Sequence, residues 1–214
     1  MPKFLTSGPA DAPVRFLCAH GAGGGMVSPF LDTIAKLLAE RGIAVWRFEF
    51  AYMAARREGG SRKPPPKAER LANEYRAAVA ELPRGGAVII GGKSMGGRVA
   101  SMVADDLIKE SKIAGLICLG YPFHPPKKPE QLRTAHLERI TCPTLIVQGE
   151  RDPFGTRAEV DGFRLSPAIG LHWVGDGDHD LGPRGTSGFT RKGNLTAAAD
   201  AIAAFARGLA GPPN

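Results

Sequence analysis

Six short apolar runs recur along the chain, separated by stretches of amphipathic spacing, and this alternation restricts the fold more than any other property. The runs occupy residues 14–19 (VRFLCA), 43–50 (IAVWRFEF), 87–91 (AVIIG), 114–120 (AGLICLG), 144–148 (TLIVQ) and 169–174 (IGLHWV). Runs of this length read as strands, and their near-continuous apolar character means that both faces are covered. Helical spacing fills the intervals. Ser28 with Pro29 behind it opens one helix that stops at Gly42, since proline is tolerated in a first turn and glycine ends a last one. Further helices are expected over residues 67–82, after Gly97, and over 194–209. Strands alternating with helices give an α/β fold, a mostly parallel sheet of about six strands flanked by helices. At 214 residues the chain fits a single domain over 1–214. In such sheets ligands bind at the carboxyl ends of the strands, so the loops there carry the functional signal.

No stretch approaches the ~20 continuous apolar residues of a membrane span. The opening residues MPKFLTSGP lack the apolar centre of a secretory leader. Cys18, Cys118 and Cys142 cannot all pair, and each lies in or beside an expected strand. Buried free thiols in a reducing, cytoplasmic setting are therefore expected. The net charge of +7 is uneven: residues 56–70 (RREGGSRKPPPKAER) hold six basic side chains against Glu58 and Glu69. The segment lacks the interleaved aromatics of a single-strand platform, which argues against nucleic acid. Two readings stay open: a solvated loop stiffened by Pro64-Pro65-Pro66, or a patch that attracts an acidic substrate or partner.

Gly92-Lys93-Ser94-Met95-Gly96 follows the third run and precedes a helix, matching the G-x-S-x-G turn in its required setting. The serine there sits on a sharp, strained turn, and glycines let strand and helix pass closely. The helix N-terminus favours negative charge developing at the serine. A phosphate loop ending in Gly-Lys-Ser would need glycine at residue 87, which is Ala87 within the strand, so that reading fails.

A serine needs a base within hydrogen-bond reach and a carboxylate to orient it. In the order that accompanies this turn, the acid follows and the histidine comes last. GERDPFG after the fifth run supplies Asp152, with Glu150 in reserve, and GDGDHDL after the sixth supplies His179. His20 reads as structural, His124 and His136 precede the acid, and His172 lies inside a strand. The oxyanion donors are expected to be the N–H groups of Met95 and of Ala22 in His20-Gly21-Ala22-Gly23-Gly24. A dinucleotide fold is the rival explanation for that glycine loop, with Glu49 holding a ribose. The pattern fails at Met26, and it leaves Ser94, Asp152 and His179 unused. Asp176, Asp178 and Asp180 suggest a calcium loop, but Leu181 stands where glycine is needed and Ser187 where glutamate is. No cofactor or metal is called for.

HGAGG, RFEFAYM, GKSMGGR, QGERDPFG and GDHDL in this order resemble the small α/β hydrolases of the dienelactone-hydrolase-like group. The likeness runs from Val14 to Phe205 and is strongest to the subgroup containing the testis-expressed and chromatin-complex hydrolase-like proteins. It implies a Ser94–Asp152–His179 site and a sheet lacking early strands of larger relatives. Dienelactone hydrolases proper carry cysteine where this chain has Ser94, so dienelactone itself is not implied. Only a short proline-rich stretch, residues 121–139, stands where larger relatives insert a cap, so an open site for small acyl groups is expected. Met26, Tyr52, Met53, Tyr121, Phe123 and Phe154 are the expected pocket residues. The sequence thus points to a serine hydrolase acting on a small, acyl-bearing molecule. The alternative is a binding or scaffold protein that uses the basic segment 56–70.

Overall fold

The computed structural model describes residues 2–60, 64–83 and 85–210. Seven strands form one sheet: β1 (Phe4–Ser7), β2 (Val14–Ala19), β3 (Ile43–Phe48), β4 (Ala87–Lys93), β5 (Gly115–Leu119), β6 (Thr144–Gly149) and β7 (Ile169–Val174). Their spatial order is β1-β3-β2-β4-β5-β6-β7. All six expected strands are present and parallel to one another. The added strand, β1, runs antiparallel on β3 at the edge, with Phe4 set edge-on against Trp46 at 5.3 Å.

Side chains alternate across a strand, and here the alternation assigns each helix to a face. Phe16 and Cys18 of β2, with Ile89, Ile117 and Val147, pack with Ile34 and Leu38 of α1 (Pro29–Ala39) and Ile202 of α6 (Arg191–Ala210). Leu17 and Ala19, with Ile90, Cys118 and Ile146, face Leu71 and Tyr75 of α3 (Ala68–Ala80) and Val99 and Val103 of α4 (Met95–Lys109). Because both faces are covered, β2, β5 and β6 are buried at every residue. All three cysteines are free and buried.

Two short helices lie outside the sequence expectation, α2 (Ala51–Arg57) and α5 (Arg157–Val160). Ser28 occupies the N-cap of α1, but its hydroxyl makes no capping bond. Between β5 and β6, residues 120–143 hold neither helix nor strand, and among the described residues no cap domain rises over the sheet. No helix among the described residues is long and apolar enough to cross a membrane.

The strand order fixes where a ligand can sit. From β2 the chain moves outward to β3, then crosses to the other side of β2 to begin β4. The loops after β2 and β4 therefore diverge, opening a crevice at the carboxyl end between the neighbours Ala19 and Gly92.

Candidate active site

Ser94 stands in that crevice at the N-terminus of α4, with φ 51° and ψ −115°. Such a backbone costs about 1–3 kcal/mol and persists only where its surroundings enforce it. The enforcing contacts are visible. Ser94 N–H donates to Leu119 O at 2.9 Å, and Ser94 O accepts from Arg98 N at 3.0 Å. A Cβ on Gly96 would stand 2.6 Å from the carbonyl oxygens of both Ala19 and His20. Only a glycine lets the first turn of α4 close against the end of β2.

The loops after β6 and β7 meet beside this turn. His179 Nδ1 lies 2.8 Å from Asp152 Oδ2. An ionised carboxylate only accepts, so Nδ1 carries the proton and Nε2 is left with a free lone pair. Asp152 is fully buried, and its other oxygen accepts from Phe154 N at 2.9 Å. Phe154 lays its ring beside the imidazole, centroids 4.3 Å apart. Glu150 is engaged elsewhere: it pairs with Arg157 and accepts from Asp176 N, and the latter bond is the main cause holding its carboxyl below the usual range.

Two residues that sequence reasoning passed over, Gln148 and Lys93, and one that it expected in the pocket, Tyr52, hold these groups in place. The buried Gln148 donates from Nε2 to Asp152 Oδ2 at 3.0 Å and accepts at Oε1 from Tyr121 N at 2.7 Å. Its place near the end of an apolar strand, four residues before Asp152, is the only sequence signal it offers. Lys93, almost entirely buried, donates from Nζ to His179 O at 2.6 Å and pairs with Asp180 at 3.3 Å. Burial drives its ammonium below the ordinary value, against the pull of Asp180 and Asp152. Tyr52 donates its hydroxyl to Ala22 O at 3.2 Å, tying the glycine loop to α2.

His20 is a brace in the same loop. Its Nδ1 donates to Gly21 O at 2.6 Å, and its Nε2 accepts from Phe50 N at 3.2 Å. Acceptance at Nε2 requires the neutral ring, in keeping with the lowering of its pKa by burial.

Ser94 lies where two cavity lobes meet. One, about 480 Å³, is bounded by the glycine loop, the start of α1, Lys93, His179 and Arg191. The other, about 430 Å³, is bounded by Pro65, Pro66, Lys67, Arg98, Pro122 and Arg133. Ala22, Ser94 and Phe154 border both, while Met95 borders the second. The proline stretch of the basic segment is thus a wall of the crevice. Arg57 of that segment pairs with Glu49; Arg62 and Lys63 lie outside the described residues.

Of the six expected pocket residues, Phe154 alone lines these lobes. Tyr121 and Phe123 are completely buried and pack on each other at 4.9 Å. Apolar residues at strand ends pack by default, and here they do so with a consequence: Tyr121 Oη donates to Arg133 O and Phe123 O accepts from Arg133 N. Met26 borders a separate cavity with Glu49 and Glu74. Met53 is buried beneath Gly25, and Tyr52 serves the loop as described. Asp176 is consumed by Arg184 and Arg151, and Asp178 accepts from Asp180 N and Gly182 N. Among the described residues no group of three or more His, Cys, Asp or Glu is placed to hold a metal ion.

Known proteins share this arrangement of strands and helices. The dienelactone hydrolase of Anabaena variabilis superposes with a TM-score of 0.73 at 21% identity, over 97% of this chain and 92% of that one. Est1E of Butyrivibrio proteoclasticus, solved with ferulic acid bound, gives 0.69 at 16% identity over 97% and 95%. XC6422 of Xanthomonas campestris, described as an α/β serine hydrolase without lid, gives 0.67 at 19% over 98% and 90%. At such identities the likeness concerns the fold. The sequence profile of the alpha/beta hydrolase domain matches residues 12–207, nearly the whole length, and the chain belongs to that family.

Proposed function

We propose that this protein is a serine hydrolase that cleaves an ester, thioester or amide of a small acyl substrate, with Ser94, His179 and Asp152 as its triad. The observation that carries this reading is the His179–Asp152 bond of 2.8 Å in a crevice that also holds a serine in a strained turn. Ser94 Oγ attacks the carbonyl carbon while His179 Nε2 takes its proton. The Nδ1 bond to Asp152 stabilises the imidazolium that forms. The N–H groups of Met95 and Ala22 receive the oxyanion, aided by the positive end of α4. His179 returns the proton to the leaving group, and water then releases the acyl group from Ser94 by the same steps in reverse. Est1E, with its bound ferulic acid, supports an acid product of modest size. The flanks of the serine motif also support placement in the testis-expressed and chromatin-complex subgroup.

A p-nitrophenyl ester series from acetate to decanoate tests this reading. Turnover that falls with chain length, and is lost in Ser94→Ala, is the expected result. A scaffold acting through the basic segment predicts no Ser94-dependent turnover with any ester.

A further inference from the structure

The lobe of about 430 Å³ beside Ser94 carries three cationic side chains, Lys67, Arg98 and Arg133, against one carboxylate, Glu69. Glu69 is spoken for: its Oε1 accepts from Arg98 Nη2 at 2.8 Å. That single bond leaves Arg98 under-used, for its Nε is buried without an acceptor. Arg133 is half-buried, and among the described residues its guanidinium has neither ion pair nor side-chain hydrogen bond. Five donors in a fixed fork held at a partly dry site without an acceptor lose solvation and gain nothing in return. Burial first, and then the Arg98 charge, push the Arg133 guanidinium below its ordinary value, so the two arginines strain against each other.

Arg133 is not there by looseness. Its N–H donates to Phe123 O at 2.7 Å, and its carbonyl accepts from Tyr121 Oη at 3.0 Å. Tyr121 is in turn bound through its N–H to Gln148, which also holds Asp152. The backbone that presents Arg133 is therefore built onto the same scaffold as the triad acid. A cation whose backbone is held this firmly, on the cavity that Ser94 also borders and with no ion pair among the described residues, is arranged for a group that arrives from outside.

Resting on the hydrolase reading, we infer that the substrate carries an oxyanion, a carboxylate or a phosphate, which Arg133 and Arg98 bind in the lobe walled by Pro65, Pro66 and Lys67. A guanidinium pair suits either anion, since its N–H groups match planar and tetrahedral oxygens in bidentate fashion. Arg133 and Arg98 then determine specificity, and the basic balance of the chain takes effect at the crevice itself.

The test compares matched esters. For an anion on the acyl side, p-nitrophenyl hemiglutarate is set against p-nitrophenyl methyl glutarate. On the leaving side, 4-acetoxybenzoate and 4-acetoxyphenyl phosphate are set against methyl 4-acetoxybenzoate. Wild type is expected to favour an anionic member by about tenfold or more in kcat/KM, the worth of a charge-assisted bond. Which member wins separates carboxylate from phosphate. In Arg133→Gln the ratio falls towards one, in Arg133→Glu it inverts, and 0.5 M NaCl compresses it in wild type. A ratio near one in wild type that still turns over both esters overturns the inference and leaves the hydrolase reading standing. If no ester is hydrolysed, the hydrolase reading fails, and calorimetric titration with glutarate and phenyl phosphate decides the lobe. Binding lost in Arg133→Gln upholds the anion site; no binding overturns it.

Discussion

Gln148 Nε2 and His179 Nδ1 converge on one atom, Asp152 Oδ2, at 3.0 and 2.8 Å. The amide therefore orients the carboxylate that orients the imidazole. Gln148→Leu is expected to lower kcat about 10- to 100-fold, the range for losing a buried hydrogen bond to a charged group, while KM moves by less than about threefold. A loss confined to stability would instead appear in the melting temperature with kcat per folded molecule unchanged. Steady-state kinetics beside a thermal melt distinguish the two.

Lys93 holds the backbone that carries the imidazole, through His179 O and Asp180. Lys93→Met keeps the volume and removes the donor, leaving the His179 carbonyl unanswered at a partly buried site. Hydrolysis is expected to slow about tenfold or more with the far-ultraviolet circular dichroism unchanged. Wild-type rates in this variant would show that the lysine positions nothing.

The close approach at Gly96 sets a third expectation. In Gly96→Ala the new methyl meets the Ala19 and His20 carbonyls, neither of which is a flexible chain end. Overpacking of this kind costs about 1–3 kcal/mol, and at about 2–4 °C per kcal/mol for a chain of this size the melting temperature falls by several degrees. The turn at Ser94 takes the displacement, so activity is expected to fall as well. Differential scanning calorimetry and an ester assay on the same preparation give both readings.

Much of this was legible from residue order. The six strands, the strand–serine–helix turn and the acid and histidine loops all show in local patterns of apolar runs and glycines. The edge strand Phe4–Ser7 was not, because four residues at half burial leave no period to count. Helix α2 was hidden for a different reason: its sequence AYMAARR runs into a basic stretch and reads as loop. Side-chain destinations were the harder part. Tyr121 and Phe123 sit at a strand end exactly as a pocket residue would, and nothing local distinguishes a ring that turns inward. Gln148 and Arg133 take their meaning from how the loops fold back onto Asp152, Tyr121 and Phe123, which no apolar period records.

Acid should destabilise the protein in two stages. Burial lowers the pKa of His20, His136 and His172 from the ordinary 6.5. Below 6.5 the unfolded chain then binds more protons than the folded one, so stability declines as pH falls from 6.5 through each folded value. Glu69, Glu150 and Glu159 are lowered from 4.5. Their contribution is complete above 4.5 and lost below it. The melting temperature between pH 8 and 4 should be level, then fall from about 6.5, then fall faster below about 4.5. In His172→Gln the first decline should shrink. A melting temperature constant from pH 7.5 to 5.5 contradicts the expectation.

The most direct test of a working nucleophile is labelling with a fluorophosphonate probe, located by peptide mass spectrometry in wild type, Ser94→Ala and His179→Ala. Modification at Ser94 alone, absent in Ser94→Ala and slowed in His179→Ala, is the predicted result. Well-folded wild-type protein that takes up no probe at Ser94 would contradict the assignment of a serine hydrolase.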